Sequence, residues 1–416
     1  MPAEVSLDAL ASRLSPGERV FVPGCTGEPQ AFTQRLVDDP ALAPGVQFVT
    51  SFVPGINGRH LAGPGSTRRM QVFFMQPAYE AARAEGRVDF TPLNYHGAQQ
   101  HLLAPATAPD TLLIEVGEPD AEGRCPAGGY AEFLPAMLER ATRVLAVVNP
   151  NVPRVPHGTF VAFDRLEAFA RSTSPLAAYD AGGSNPVTDR IVAHLAALIP
   201  NGATIQVGLG KVPAQLIPAL KDHRDIGFHS GMLSDALLDL PGAPFLRKGA
   251  DIVTGVVVGT QRLYDGLAGI AGLRLEGFHY THDPAVLARV PRLHAINSAL
   301  EVDLLGQVNA EALNGRSVSG PGGLPDFAAA AHRSAEGLSI IALPATDPKG
   351  RLSRIVAHLK AGTPVAAPSH DVDAVVTEFG VAHLRGASVD QRAERLIGIA
   401  HPDFRAALRQ TSSKAN

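Results

Sequence analysis

The stretch Ile205–Leu216 reads Ile-Gln-Val-Gly-Leu-Gly-Lys-Val-Pro-Ala-Gln-Leu. An apolar run, two glycines and then a helix-forming segment are typical of a strand that turns through a glycine loop into a helix. The stretch Val20–Phe32, Val-Phe-Val-Pro-Gly-Cys-Thr-Gly-Glu-Pro-Gln-Ala-Phe, has the same arrangement in the first half. The pair indicates two copies of one α/β unit, although the arrangement is common enough in α/β proteins to arise by chance.

Short β-rich runs alternate with amphipathic stretches along the whole chain, which predicts an α/β fold with mainly parallel sheets. The predicted strands include Thr111–Val116, Thr204–Val207, Ile296–Leu304 and Ala374–Thr377. The chain has 416 residues, about the length of two domains. Asp180–Asn185 is glycine-rich and is the best linker candidate, and Pro186 fits the first turn of the helix that follows. We therefore expect one domain over 1–182 and a second over 186–416.

The composition excludes several classes of protein. A net charge of −4 gives no basic surplus to neutralise nucleic acid. Two cysteines, Cys25 and Cys125, exclude a disulfide framework and leave a structural zinc site without thiolates, so we expect no metal. The start of the chain shows no secretory signal and no apolar run is long enough to span a membrane. We expect a soluble cytoplasmic protein.

Two glycine loops are candidate anion sites. Gly208 and Gly210 precede a predicted helix, where exposed backbone N–H groups favour an anion. The G-x-G pattern alone is weak, because the third glycine of a dinucleotide fingerprint is missing, and a packing turn is the alternative. The second loop, Ser319–Phe327, contains three glycines and two prolines. It is predicted to be a rigid loop, serving either as an oxyanion hole or as a structural turn.

Six segments, in order and with similar spacing, resemble the acetyl-CoA hydrolase/CoA-transferase family. They are Val207–Pro213, Gly227–Asp235, Ile296–Asn309, Gly320–Phe327, Thr377–Gly386 and Arg392–Arg405. The resemblance implies two CoA-transferase-type open-sheet domains packed face to face, with an active site between them. It also implies coenzyme A as a substrate and not a resident cofactor, acyl-CoA and small carboxylates as partners, and a homodimer or higher homo-oligomer. By motif match, it assigns CoA or oxyanion contact to Gly208, Gly210, Gly320, Gly322 and Gly323.

The resemblance also implies covalent catalysis, in which a glutamate attacks the acyl-CoA carbonyl and then carries CoA as a thioester. The segment that holds this glutamate reads Phe-His-Ser-Gly-Met here, so the nucleophile position is Gly231. Three consequences are open. A carboxylate from elsewhere supplies the nucleophile, water or the acceptor attacks the thioester directly, or the protein binds CoA esters without turnover.

Four side chains are candidates for the missing chemistry. Glu28 follows the first glycine loop and is either a substitute nucleophile or a carboxylate at a helix start. Glu301 and Asp303 share one face of a predicted strand, which is either solvent-exposed or lines a polar cleft. His229 is either a cleft residue that contacts the thioester or a structural histidine. A Ser230–His229 relay is not expected, because adjacent residues of an extended chain point apart.

The sequence thus predicts an acyl-CoA:carboxylate CoA-transferase acting on thioesters of small carboxylic acids. The alternatives are an acyl-CoA hydrolase and a catalytically silent CoA-ester binding protein.

Overall fold

The computed structural model describes residues 1–412. Within them the chain forms 23 strands, numbered here in chain order. They are β1 (Ala3–Glu4), β2 (Arg19–Val22), β3 (Gln47–Thr50), β4 (Arg69–Val72), β5 (Val88–Phe90), β6 (Thr111–Val116), β7 (Arg124–Pro126), β8 (Arg143–Val148), β9 (Phe160–Ala162), β10 (Ala168–Arg171), β11 (Thr204–Val207), β12 (Gly227–Leu233), β13 (Ile252–Val257), β14 (Leu273–Leu275), β15 (Leu293–Ser298), β16 (Glu301–Asp303), β17 (Val308–Asn309), β18 (Ala312–Leu313), β19 (Arg316–Ser317), β20 (Leu338–Ala342), β21 (Ile355–Val356), β22 (Ala374–Thr377) and β23 (Gly380–His383).

The same residues form 13 α-helices. They are α1 (Leu7–Ala11), α2 (Gln30–Asp38), α3 (Glu80–Ala84), α4 (Tyr95–Leu103), α5 (Leu134–Leu138), α6 (Pro186–Leu198), α7 (Lys211–Ala219), α8 (Gln261–Gly266), α9 (Phe278–Thr281), α10 (Pro284–Leu287), α11 (Leu324–Arg333), α12 (Val389–Ile399) and α13 (Pro402–Ser412).

The chain divides into two compact units. Unit 1 contains 1–180, 253–281 and 318–322. Its main sheet has the order β1-β10-β8-β6-β2-β3-β4-β5, with every neighbouring pair parallel. A parallel sheet is covered on both faces, which explains why all six residues of β6 are buried.

Unit 2 contains 181–252, 282–317 and 323–416, of which residues up to 412 are described. Its central strands follow the order β12-β11-β15-β20-β22-β23. The pairs are parallel up to β22, and β23 then returns antiparallel to it. Helix α11 packs against β15 and β20. The predicted α/β architecture with mainly parallel sheets is confirmed.

The units are not continuous in sequence. The first break falls between Asp180 and Ala181, inside the stretch predicted as a linker. Helix α6 begins at Pro186 as expected, and the Asn185 side chain caps it by accepting hydrogen bonds from the N–H groups of Val187 and Thr188. However, 253–281 and 318–322 belong to unit 1, although they fall within the range predicted as the second domain. Local sequence signals gave no indication of this return, because it depends on long-range packing.

Two element predictions need correction. The single strand predicted over 296–304 is two strands, β15 and β16, which belong to different sheets. The loop predicted over 319–327 is a loop only as far as Gly323, because α11 begins at Leu324 with Pro325 in its first turn. A proline is tolerated there, since the first helical N–H groups have no acceptor within the helix.

Within residues 1–412, no helix has the length and apolar character needed to cross a lipid bilayer. In the same part of the chain, no group of three or more His, Cys, Asp and Glu side chains is arranged to hold a metal ion.

Candidate functional site

The carboxyl ends of four parallel strands of unit 2 border one cavity of about 670 Å³. It lies beyond β11, β15, β20 and β22, the edge of an open α/β sheet where ligands bind. The volume is in the range of small-molecule pockets. Its polar and charged lining comprises Asn185, Thr188, Lys211, Ser298, Thr346, Asp347, Arg354 and Glu378.

The turn from β11 to α7 gives its two glycines different roles. Gly210 has φ +128°, a conformation that side-chain-bearing residues rarely adopt, and it lines the cavity with Lys211. Gly208 does not have a positive φ, and a Cβ built on it would meet no atom within 4 Å. The backbone conformation therefore accounts for Gly210, and nothing within the protein explains Gly208. Contact of both glycines with CoA stays a prediction.

The second glycine loop is packed tightly in unit 1. A Cβ on Gly320 would lie 2.0 Å from the carbonyl oxygen of Phe73, so no side chain fits there. Gly322 has φ +56° and accepts a hydrogen bond from the Tyr95 N–H through its carbonyl oxygen. Gly323 precedes α11. These contacts establish a structural reason for Gly320, and an oxyanion role for Gly320, Gly322 and Gly323 stays a prediction.

Strand β12 carries His229, Ser230 and Gly231 beside the β11–α7 turn. The Ser230 hydroxyl donates to the carbonyl oxygens of Val207 and Met232, and it accepts from the Val207 N–H at 3.3 Å. The serine therefore ties the ends of β11 and β12 together, which argues against a nucleophilic role. His229 is 5% exposed, and its ring centroid lies 6.4 Å from that of Phe327.

His282 occupies the space beside Gly231. A Cβ on Gly231 would lie 2.8 Å from Cε1 and 2.9 Å from Nε2 of this imidazole, closer than real contacts. The ring of His282 also packs edge-on against Phe327 of α11, with centroids 4.8 Å apart. No motif in the sequence indicated His282. Only the tertiary structure brings it from the start of α10 to the end of β12.

Glu28 lies in unit 1 at the centre of a hydrogen-bond network. Its buried carboxylate accepts from Thr33 Oγ1 at 2.7 Å, from Asn57 Nδ2 at 2.7 Å and from Arg59 Nη1 at 3.1 Å. Asn57 in turn accepts from the Cys25 N–H at 2.7 Å. The network holds the first glycine loop in place and gives Glu28 a structural role. Its catalytic role stays a prediction.

Glu301 and Asp303 lie on the short strand β16, away from the sheet that carries the glycine turn. Glu301 accepts from Asn309 Nδ2 at 2.9 Å and borders a shallow groove with Phe404 and Leu408. Asp303 is buried and accepts backbone hydrogen bonds from Leu305 and Gln307, and burial raises its pKa. The hydrogen bonds of both residues are to nearby positions in the chain. The catalytic role predicted for Glu301 stays a prediction.

A buried polar cluster in unit 1 was not anticipated from the sequence. Glu132 is fully buried and accepts from the Ser51 hydroxyl at 2.9 Å. Burial raises its pKa to about 7, although hydrogen bonds from Ser51, Tyr130 and Cys25 oppose the shift. Cys25 and Glu132 both have positive φ, +47° and +41°. Non-glycine residues in this conformation are strained, and such strain is concentrated at functional sites.

Comparison with known proteins matches the chain to one family. Residues 5–195 match the acetyl-CoA hydrolase/transferase N-terminal domain, and residues 259–412 match the C-terminal domain of the same family. The chain belongs to the acetyl-CoA hydrolase/transferase family. Residues 196–258, which hold both the G-x-G turn and Gly231, lie between the two matched spans.

Individual members of the family align over nearly the whole chain. The 4-hydroxybutyrate coenzyme A transferase of Clostridium kluyveri is 32% identical over 97% of this chain and 96% of its own length. The crystal structure of RipA from Yersinia pestis superposes with a TM-score of 0.90 at 28% identity, covering 99% of this chain and 97% of RipA. That of the 4-hydroxybutyrate CoA-transferase from Porphyromonas gingivalis gives 0.80 at 29% identity, covering 100% and 98%. The predicted family and CoA-transferase type of fold are confirmed.

Proposed function

We propose that the protein is an acyl-CoA:carboxylate CoA-transferase that acts on thioesters of small carboxylic acids. The observation that carries the proposal is the cavity at the carboxyl ends of the parallel strands of unit 2. The G-x-G turn borders this cavity. Relatives that align over nearly the whole chain are named 4-hydroxybutyrate CoA-transferases.

The glycine turn and the two cations of the lining support a phosphate-bearing ligand, although Asp347 and Glu378 balance their charge. Lys211 follows the glycine turn directly at the start of α7, and Arg354 also lines the cavity. A helix N-terminus and cationic side chains together favour the phosphates of CoA. The apolar part of the lining, which includes Val212, Pro213 and Ala342, suits the less polar arm of the same ligand.

Substitution of Lys211 tests this assignment. Lys211→Met should raise the Kd for free CoA about 10-fold or more, because a hydrogen bond to a charged group contributes about 1.5–3 kcal/mol. Lys221→Met, which removes the same charge from an exposed position near the end of α7, is the control and should leave the Kd unchanged. Titration calorimetry measures both, and equal affinities for the two variants would contradict a CoA site in this cavity.

Hydrolysis is the second candidate, because Gly231 presents no carboxylate at the position that sequence resemblance assigns to the nucleophile. Incubation with acetyl-CoA and butyryl-CoA, with and without a carboxylate acceptor, separates the two reactions. Thiol release without an acceptor indicates a hydrolase, whereas a new acyl-CoA formed only with the acceptor indicates a transferase. Binding without turnover would contradict both. The homo-oligomer and the cytoplasmic location remain predictions, to be checked by light scattering and by cell fractionation.

A further inference from the structure

Two imidazoles and one phenyl ring meet around position 231 of unit 2. Residues two apart on a strand point to the same face, so His229 and Gly231 share one face of β12. Phe327 of α11 packs on both His229 and His282. Because Gly231 has no side chain, the imidazole of His282 can approach the backbone of β12 at this point. Any other residue would push the ring away.

This group lies next to the G-x-G turn. Strands β11 and β12 are parallel neighbours, with Thr204 opposite Gly227 and Ile205 opposite Phe228. The hydrogen bonds between Ser230 and Val207 continue the pairing up to the turn. Neighbouring strands lie about 5 Å apart, so continuing this register places Gly231, the residue beside the His282 ring, about one strand spacing from Gly208 of the turn.

We propose that His282 is a general base that activates water against the thioester of bound acyl-CoA. The inference rests on the proposed function for its substrate. The neutral imidazole takes a proton from water while the water oxygen attacks the thioester carbonyl. The C–S bond then breaks, the imidazolium returns the proton to the departing thiolate, and the products are the carboxylic acid and CoA.

The surrounding residues favour His282 for this role. Ser230 is excluded as a nucleophile because its hydroxyl is committed to backbone groups of β11 and β12. Gly231 has no group to offer, and the space that its side chain would need is filled by the imidazole of His282. The ring is 1% exposed, so the attacking water must be one held at the site and not one from bulk solvent. A proton acceptor thus stands where a carboxylate nucleophile would otherwise project.

The role of His282 distinguishes hydrolysis from CoA transfer. Water must lose a proton to become a good nucleophile, so its attack depends on a base. An acceptor carboxylate is already ionised at neutral pH and gains nothing from a base. Loss of the imidazole should therefore suppress hydrolysis much more than CoA transfer.

The decisive variant is His282→Gln, which keeps a polar side chain of similar size but cannot accept the proton. With acetyl-CoA, we expect acceptor-independent thiol release to fall about 100-fold or more, since general base catalysis contributes 10²–10⁴-fold. CoA transfer from acetyl-CoA to butyrate should fall less than about 10-fold. The wild type should show a normal solvent deuterium isotope effect on hydrolysis, and the remaining hydrolysis by the variant should not.

His294→Gln is the matched control, because His294 is a buried histidine of β15 whose Nδ1 is bonded to the Arg292 carbonyl oxygen. It should change neither reaction more than about twofold. Binding of free CoA by calorimetry checks that the His282 variant is folded, and His282→Asn replaces it if it is not. Hydrolysis that persists in the variant, or an equal fall of hydrolysis and transfer, would overturn the role of His282.

Failure of the proposed function gives a different result. If the wild type does not bind CoA, the substrate assignment itself is wrong. If it binds CoA and carries out transfer but no hydrolysis, the substrate assignment stands and only the role of His282 is refuted.

Discussion

Gly231 and His282 form a pair in which one residue makes room for the other. A Cβ at position 231 would lie 2.8 Å from the His282 ring, and the nearest atom of Phe327 would be 3.6 Å away. A side chain at position 231 and the His282 ring would compete for the same space, and this makes the pair suitable for a double-mutant cycle.

At the residue scale, Gly231→Ala should lower the free energy of unfolding by about 1–3 kcal/mol, the usual effect of overpacking a buried site. In Gly231→Ala/His282→Ala the clash is absent, so the two changes should be coupled favourably by about 1–3 kcal/mol. Urea denaturation of the four proteins of the cycle measures this coupling. Additive effects would show that the alanine methyl group and the imidazole do not compete for the same space.

The same pair offers a test of the family's covalent chemistry. Gly231→Glu alone is expected to fold poorly, because the longer side chain must displace His282. Gly231→Glu/His282→Ala provides the space and a carboxylate at the position that sequence resemblance assigns to the nucleophile. After treatment with acetyl-CoA, intact-mass analysis should detect a CoA adduct on the peptide that contains position 231 in this double variant. An adduct on a different carboxylate in the wild type, such as Glu28, would instead indicate a relocated nucleophile.

At the scale of elements, the turn between β11 and α7 separates backbone requirements from ligand requirements. Gly210 must adopt φ +128°, whereas a Cβ on Gly208 meets no atom within 4 Å. The two glycines look alike in the sequence, yet only one has a conformational reason to be glycine.

This difference predicts that one alanine substitution changes stability and the other changes CoA binding. Gly210→Ala should lower the free energy of unfolding by about 1–3 kcal/mol, because the side chain strains the backbone. Gly208→Ala should leave stability within about 0.5 kcal/mol but weaken CoA binding, because the methyl group stands between the loop and the ligand. Thermal unfolding and calorimetric titration check the pair. Unchanged CoA affinity in Gly208→Ala would remove Gly208 from the binding site.

The second glycine loop illustrates how packing decides what composition leaves open. Glycines and prolines over 319–327 predict a rigid loop, and that is correct up to Gly323. Beyond this residue the chain enters α11, which packs on β15 and β20 and directs Phe327 toward His282. The apolar face of α11 is buried against the sheet, and this burial stabilises a helix that starts next to a proline.

At the scale of the whole molecule, buried carboxyl groups couple folding to pH. Burial raises the pKa of Glu132 to about 7 and that of Glu115 to about 8, from an ordinary value of 4.5. Each native carboxyl group holds its proton over a pH range in which the unfolded chain has lost it. Both groups therefore contribute stability fully below about pH 4.5, and this contribution is lost as the pH rises through 7 to 8.

Glu132→Gln should weaken this dependence of the free energy of unfolding on pH. At pH 8 the variant should be more stable than the wild type by up to roughly 3 kcal/mol, because 2.5 pKa units correspond to about 3.4 kcal/mol. At pH 4.5 the two proteins should be nearly equal. Denaturant unfolding between pH 4.5 and 8 measures the slope, with Glu139→Gln at an exposed position as the control. Parallel curves for the wild type and Glu132→Gln would show that Glu132 is ionised in the native protein throughout this range.

The sequence by itself determined the α/β class, the family and several of the buried strands. Thr111–Val116, Thr204–Val207 and Ala374–Thr377 were predicted with the observed ends. Buried parallel strands are short apolar runs bounded by turn residues, so local composition is sufficient to find them. The ordered glycine and histidine motifs identified the family in the same way, because motif spacing is a property of the chain alone.

Only the tertiary structure decided what the individual polar residues do. It gave Glu28 the partners Thr33, Asn57 and Arg59, and it committed Ser230 to the backbone of β11. It also brought His282 to Gly231 from 51 positions further along the chain. The physical reason is that a side chain's hydrogen bonds, burial and neighbours arise from contacts between distant segments, and no local pattern of residues specifies them.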